Sequence, residues 1–89
     1  MKIRISKQAE KFIRKQDPKT IRRILLALDG LKEKPFQGDI KTLKGRPELR
    51  LRVGDFRIIF EEAEEIVNEE VEKVINILTI DNRGDVYKK

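Results

Sequence analysis

The sequence contains no cysteine and no histidine. Without cysteine the chain cannot form disulfides, and it has no thiolate for a metal site or a catalytic nucleophile. Without histidine it lacks the side chain that most often transfers protons near neutral pH. For a general base we therefore predict Tyr87, the single tyrosine, or a lysine such as Lys44. We predict neither a metal nor another cofactor.

Long apolar runs are also absent. No segment approaches the length needed to span a bilayer and no signal peptide is visible, so we predict a cytoplasmic chain without a membrane partner. The sequence has no glycine-rich phosphate loop, and without histidine it cannot form a Ser-His-Asp triad. With 89 residues it has the length of one small domain, residues 1–89, with little room for a deep enclosed site.

Charge is abundant and unevenly distributed. Residues 61–73, "EEAEEIVNEEVEK", contain seven Glu and one Lys, a local charge of −6, and we call this segment the acidic run. Because the whole chain carries +5, the remaining residues carry +11. A basic body of this kind favours a polyanionic partner, although charge of either sign also serves solubility alone.

Alternation, periodicity and turn residues predict the order of elements. We expect a strand over residues 2–6, a helix capped by Ser6 and ending near Gln16, and a second helix from Asp17-Pro18 to about Lys34. Short strands are expected over residues 40–43 and 49–60, and a central strand over residues 73–81. The order predicts an α+β domain, with an N-terminal strand, a helical hairpin, and an antiparallel-rich sheet of three to four strands with helices on one face.

The segment "LRLRVGDFRIIF", residues 49–60, predicts a β-hairpin with Gly54-Asp55 as a two-residue turn. This turn sets Val53 opposite Phe56 and Arg52 opposite Arg57. One face of the hairpin is apolar, and the other, which we call the arginine face, carries Arg50, Arg52, Arg57 and Ile59. Like charges directly opposite each other destabilise a sheet, so the arginines must meet acidic side chains, spread into water, or bind an anion.

Two neighbouring segments each allow two interpretations. Lys41, Lys44 and Arg46 precede the hairpin, either as ordinary loop residues or as phosphate contacts, and Gly45 allows close backbone approach beside Lys44. The acidic run is either a solvated extension of the hairpin or a loop to the last strand, with Asn68 as a turn residue. It lacks the spacing of a calcium loop.

The ending "NRGDVY" places Arg83 just past the last predicted strand and Tyr87 close to the C-terminus. The tyrosine can act as a packing lid over the sheet edge. It can also stack on a base or transfer a proton.

The segments "LKGRPELRLRVGDFRIIFE" and "INILTIDNRGDVYKK" resemble the RelE/ParE superfamily of bacterial and archaeal toxins, and the ending is most similar to RelE-type mRNA interferases. The resemblance implies a toxin of a type II toxin–antitoxin system with a cognate antitoxin, the ribosome and mRNA as partners. RelE-type toxins cut mRNA on the ribosome by attack of a ribose 2′-hydroxyl on the adjacent phosphate, leaving a cyclic phosphate. ParE-type relatives share the fold, inhibit DNA gyrase and lack the nuclease residues.

The resemblance also implies roles for individual positions. Arg57 matches the hairpin arginine that stabilises the phosphate, Arg83 the arginine near the leaving oxygen, and Tyr87 the C-terminal tyrosine. Arg50 stands where some members carry a catalytic lysine, and Asn82 where many carry histidine. These departures keep two alternatives open, a gyrase-inhibiting ParE-like toxin and a degenerate inactive relative. The predicted catalytic residues are Arg50, Arg57, Arg83 and Tyr87, and the predicted phosphate-binding residues are Lys41, Lys44, Arg46 and Arg52.

Overall fold

The computed structural model describes residues 2–82. Its elements are β1 (Lys2–Ile5), α1 (Lys7–Arg14), α2 (Pro18–Asp29), a 3₁₀ turn (Gly30–Lys32), β2 (Asp39–Thr42), β3 (Leu49–Val53), β4 (Phe56–Val67) and β5 (Glu70–Asn82). The strands form one five-stranded sheet in the order β1-β5-β4-β3-β2. Only the β1–β5 pair is parallel among these strands. The predicted α+β class is confirmed, and the last predicted strand is central, as expected.

Both helices begin where the sequence indicates but end earlier than expected. Ser6 caps α1 by accepting a hydrogen bond from the Ala9 amide at 3.1 Å, and α1 ends at Arg14 rather than Gln16. The prediction that α2 reaches Lys34 is wrong, because the helix ends at Asp29.

Helix α2 ends early because the loop that follows it folds back against Gly30. The Gln37 amide donates to the Gly30 carbonyl at 3.0 Å, and a Cβ on Gly30 would lie 3.1 Å from the Gln37 Cβ. The chain therefore tightens into one 3₁₀ turn and leaves the helix axis, as chains commonly do at helix ends. Leu31, at the centre of that turn, is fully buried in the core.

The apolar core lies between the helices and one face of the sheet. Helix residues such as Ile24 and Leu28 pack there against inward-facing strand residues such as Ile58 and Phe60. Two edge-to-face ring pairs, each with centroids 5.6 Å apart, join Phe12 to Phe56 and Phe36 to Phe60. Because α1 and α2 both pack on this face, the opposite face, which we call the open face, has no helix over it within residues 2–82.

The acidic run is an extension of the sheet strands and not a loop, which decides between the two interpretations. β4 continues to Val67, β5 begins at Glu70, and the two strands pair along the whole run. Asn68 and Glu69 form the turn with φ of 51° and 66°, which is the backbone of a type I′ hairpin turn. Near the tip, Ile66 lies opposite Val71, and these side chains are 77% and 65% exposed.

A β-bulge interrupts the pairing of β4 and β5. Ile59 lies opposite Thr79 while Phe60 lies opposite Ile77, so Leu78 is an extra residue in β5. The Ser6 hydroxyl donates to the Leu78 carbonyl at 2.7 Å and holds the bulge against the start of α1. Since the bulge changes the alternation by one residue, Ile77 and Ile80 both face the core. The residues between and after them, Leu78, Thr79 and Asp81, line a groove on the open face.

Candidate phosphate-binding face

The β3–β4 hairpin that forms the arginine face has the register predicted from its turn. Val53 lies opposite Phe56, and Arg52 lies opposite Arg57. Gly54 has φ of +58°, a conformation that glycine adopts without steric cost. A Cβ there would lie 2.7 Å from an Nη of Arg23, so the glycine also makes room for this guanidinium of α2.

At the β2 side of the arginine face, one carboxylate contacts two arginines. Asp39 on β2 lies opposite Arg52, and its carboxylate is 3.8 Å from the Arg52 Nε and 3.3 Å from an Nη of Arg50. The Arg50 side chain is only 14% exposed, the least of the arginines on this face. Asp39 therefore offsets part of the repulsion within the cluster.

At the centre of the sheet, Arg57 lies directly opposite Asp81 of β5. Their closest guanidinium and carboxylate atoms are 3.8 Å apart, which is an ion pair but longer than a good hydrogen bond. The Nε atoms of Arg57 and Arg50 are buried and have no hydrogen-bond partner within residues 2–82. An unpaired buried donor costs about 1–3 kcal/mol, so burial of these two Nε atoms is unfavourable to the fold.

A groove of about 430 Å³ opens beside Arg57 on this face. Its cationic groups are Arg46 and Arg57, and its one carboxylate among the described residues is Asp81. Arg46 is also held by Glu48, whose carboxylate oxygen accepts from the Arg46 Nε at 2.9 Å. The remaining lining residues are Leu43, Ile59, Leu78 and Thr79.

The predicted basic residues lie on or near the open face, but not all of them line the groove. Lys41 on β2 pairs with Arg50 of β3, which sets it on the open face at the sheet edge. Arg46 lines the groove, and Lys44 lies exposed in the turn before β3. Arg83 and Tyr87 lie outside the described residues.

The sequence reasoning missed the two aspartates of this face, Asp39 and Asp81. Asp39 could have been found by pairing the predicted strand at residues 40–43 with the hairpin, because antiparallel pairing sets it opposite Arg52. Asp81 had no comparable signal. Its position on the open face depends on the bulge at Leu78, which the strand pattern alone does not reveal.

The acidic run is partly neutralised by basic residues outside the arginine face. Glu65 accepts two hydrogen bonds of 2.8 Å from Arg4 and lies 3.8 Å from Lys2, and these contacts lower the pKa of the Glu65 carboxyl. Glu62 accepts from Lys34 at 2.6 Å, and this hydrogen bond lowers the pKa of Glu62 in the same way. Despite its seven carboxylates, the run contributes to no cluster of three metal-ligand side chains within residues 2–82.

None of the helices within residues 2–82 is long and apolar enough to cross a membrane.

Comparisons with known proteins agree with this fold. The RelBE2 toxin–antitoxin complex of Mycobacterium tuberculosis contains a similar chain, with 20% identity, a TM-score of 0.64, and coverage of 92% of this chain and 96% of that one. The RelB-RelE antitoxin–toxin complex of Methanococcus jannaschii gives 21% identity, a TM-score of 0.61 and 93% coverage of each chain. No curated protein sequence matches at a significant level.

The family model for the ParE toxin of type II toxin–antitoxin systems matches residues 3–87. The match covers nearly the whole chain. The two structural neighbours carry the same arrangement of strands and helices, in agreement with the resemblance in residues 49–60. The chain therefore belongs to the ParE toxin family of type II toxin–antitoxin systems, within the RelE/ParE superfamily.

Proposed function

We propose that this toxin is a ribosome-dependent endoribonuclease that cuts mRNA and thereby inhibits translation. The observation that carries the proposal is the cluster of Arg50, Arg52 and Arg57 on an uncovered sheet face, where Asp39 and Asp81 contact them at 3.3 to 3.8 Å. Guanidinium groups match the geometry of phosphate oxygens, and a bound phosphate would accept hydrogen bonds from the partly exposed side chains of Arg52 and Arg57.

In this mechanism the arginines act electrostatically. Attack of the ribose 2′-hydroxyl concentrates negative charge on the phosphate oxygens, and fixed cations in a partly dry site stabilise that charge. Arg57 is the central contact, and Arg50, held by Asp39, supports it from the neighbouring strand. Because arginine stays protonated, Arg50 cannot act as a base where some relatives carry lysine. From the resemblance we assign Arg83 to the leaving oxygen and Tyr87 to the nucleotide.

The shallow shape of the site fits a substrate that another molecule holds in place. The groove is open to solvent and, at about 430 Å³, does not enclose a flexible RNA strand. Holding the reacting groups in the right geometry can lower the reaction barrier by about 7–11 kcal/mol. We propose that the ribosome supplies this ordering, so the chain acts in the cytoplasm on translated messages.

A cognate antitoxin is the second partner that we propose. Both structural neighbours were solved as toxin–antitoxin complexes, and the family is defined by such pairs. An acidic antitoxin segment lying over Arg50, Arg52 and Arg57 would occupy the same surface as RNA. Toxin activity and antitoxin binding would then be mutually exclusive.

Inhibition of DNA gyrase is the second candidate function, and the family match favours it. The matching model describes ParE toxins, whose gyrase-inhibiting members need no nuclease site. On this alternative the arginine face would bind protein or DNA and would cut nothing.

Primer extension on mRNA from cells that express the chain separates the two candidates. The nuclease proposal predicts new 5′ ends at ordered positions within codons, and intact plasmid DNA. Intact mRNA together with linearised plasmid would establish the gyrase alternative. The same cells expressing the Arg57→Ala chain control for cleavage caused by stress.

A further inference from the structure

The proposed reaction needs a group that takes the proton of the attacking 2′-hydroxyl. The chain has no histidine, and the arginines of the face cannot accept a proton at any physiological pH. Lysine and tyrosine are mostly protonated near neutral pH, whereas carboxylates are ionised there and ready to accept. A carboxylate on the open face, next to a phosphate-binding arginine, would therefore meet the chemical requirement.

Asp81 has this position. Its carboxylate lies 3.8 Å from the Arg57 guanidinium, and both side chains line the same groove. The Asp81 side chain is 46% exposed, so an incoming ribose can reach it. In a reactive geometry the attacking oxygen lies about 3–3.5 Å from phosphorus. A base within 4 Å of the guanidinium that binds the phosphate can therefore reach that oxygen.

The bulge at Leu78 is the feature of the fold that creates this arrangement. Without the extra residue, the alternation that turns Ile77 to the core would also turn Asp81 to the core and Ile80 to the groove. The bulge is anchored by the Ser6 hydroxyl and places the carboxylate on a strand rather than on a loop. The strand register sets Asp81 directly opposite Arg57.

We propose that Asp81 is the general base of the reaction, an inference that rests on the proposed nuclease function. Asp81 takes the proton of the 2′-hydroxyl while the 2′-oxygen forms a bond to phosphorus. The bond from phosphorus to the 5′-oxygen breaks, and this oxygen leaves with the bonding electrons and takes a proton from water. The products are a 2′,3′-cyclic phosphate and a 5′-hydroxyl, and Asp81 then releases its proton to solvent.

The other carboxylates near this face are less suited to the role. Asp39 contacts both Arg50 and Arg52 at the β2 edge and does not line the groove. Glu48 accepts a hydrogen bond from Arg46 and also lies outside the groove lining. Asp39 is therefore a matched control, because it too is an arginine-paired aspartate of the open face.

Single-turnover cleavage on preassembled ribosomes between pH 6.5 and 9 tests the assignment with Asp81→Asn and Asp39→Asn. The amide keeps the shape of the carboxylate but cannot take a proton. We expect Asp81→Asn to bind ribosomes normally and to cleave at least about a hundredfold more slowly at pH 7. Its rate should rise about tenfold per pH unit as hydroxide replaces the base, while the native rate stays flat. Asp39→Asn is expected to lose some rate, because Asp39 holds Arg50, but its rate should stay flat with pH.

Each other result contradicts the assignment in a distinct way. A native rate that rises with pH would assign the base to tyrosine or lysine. A slow Asp81→Asn variant with a flat profile would mean that Asp81 only positions Arg57. If Asp81→Asn unfolds, Asp81→Glu serves instead, and loss of all its activity in a folded chain would contradict the proposal. Absence of cleavage by the native chain would overturn the proposed function itself, and the base with it.

Discussion

Arg52 and Arg57 face each other across β3 and β4, and each has a carboxylate on its other side. Asp39 lies beside Arg52 and Asp81 beside Arg57, at 3.8 Å in both pairs. These contacts are too long to saturate the guanidinium groups, and the side chains are partly exposed, so each pair contributes little stability. The two carboxylates thus offset part of the repulsion between the opposed arginines.

Replacing Arg57 by alanine tests the central residue of this face. We expect cleavage on ribosomes to fall by about a hundredfold to a thousandfold, the usual loss when one donor to a transition-state oxyanion is removed. Folding should be unaffected, because the side chain lies on the open face. Arg14→Ala is the matched control, since Arg14 is an exposed arginine on α1 that pairs only with Glu10 of the same helix within residues 2–82.

Equal cleavage by the Arg57→Ala and native proteins would remove Arg57 from the site. A comparable loss in Arg14→Ala would show that total positive charge, rather than the arginine face, determines the rate.

At the scale of single residues, alternation in the sequence was sufficient to predict which side chains of the hairpin face the core. Leu51, Ile58 and Phe60 are buried, and the arginines lie on the opposite face. The position of Asp81 could not be predicted in this way, because an inserted residue in β5 shifts every later side chain to the other face. The pairing that defines the bulge involves residues far apart in the sequence.

Among the elements, the extended β4–β5 hairpin contains one residue in an unfavourable conformation. Glu69 has φ of 66°, where its Cβ crowds the backbone. Glu69→Gly should raise the free energy of unfolding by about 0.5–1 kcal/mol, since relief of this strain exceeds the entropy that glycine adds to the unfolded chain. Denaturant unfolding monitored by circular dichroism measures the change.

Asn68 provides the control for this turn, because it has φ of 51° but asparagine tolerates that region better than glutamate. Asn68→Gly should therefore have a smaller effect than Glu69→Gly. A destabilised Glu69→Gly protein would contradict the described turn.

The same hairpin should respond to acid. Hydrogen bonds from Arg4 lower the pKa of Glu65, so this carboxylate stabilises the fold at pH values above its ordinary titration range. That stabilisation is lost as the pH falls through the lowered pKa. Glu65→Gln should thus be less stable than the native chain at pH 7, and the difference should shrink toward pH 3. Because the pair is largely exposed, the effect is small and weakens further in salt.

Chemical denaturation of both proteins at several pH values measures that difference. A difference that stays constant between pH 7 and pH 3 would show that the Arg4–Glu65 contact contributes nothing through its charge.

Local sequence signals predicted some boundaries of the helices and strands but not others. The Ser6 cap, the Pro18 start and the Gly54 turn are determined by residues adjacent in the chain, and all three are present in the fold. The end of α2 is determined instead by the contact of Gly30 with Gln37, which forms only when the loop folds back. The choice between strand and loop for the acidic run also required the tertiary pairing, because Glu-rich segments have weak strand propensity.

Across the whole molecule, positive and negative charge are separated in space. The arginine face and the acidic run share β4, but the run continues past the region where the helices pack and pairs with Lys2, Arg4 and Lys34 instead. A net charge of +5 therefore underestimates how basic the open face is. This separation would direct a polyanion to the arginines and away from the tip of the hairpin.

The most direct test of the nuclease proposal uses purified components. Ribosomes carrying a 5′-labelled mRNA with a defined codon in the decoding site are mixed with the purified chain, and the RNA products are resolved at single-nucleotide resolution. We predict cleavage within the decoding-site codon, a product ending in a 2′,3′-cyclic phosphate, and no cleavage of the same mRNA without ribosomes. Intact mRNA on the ribosomes, with a chain that is folded and binds them, would contradict the proposal.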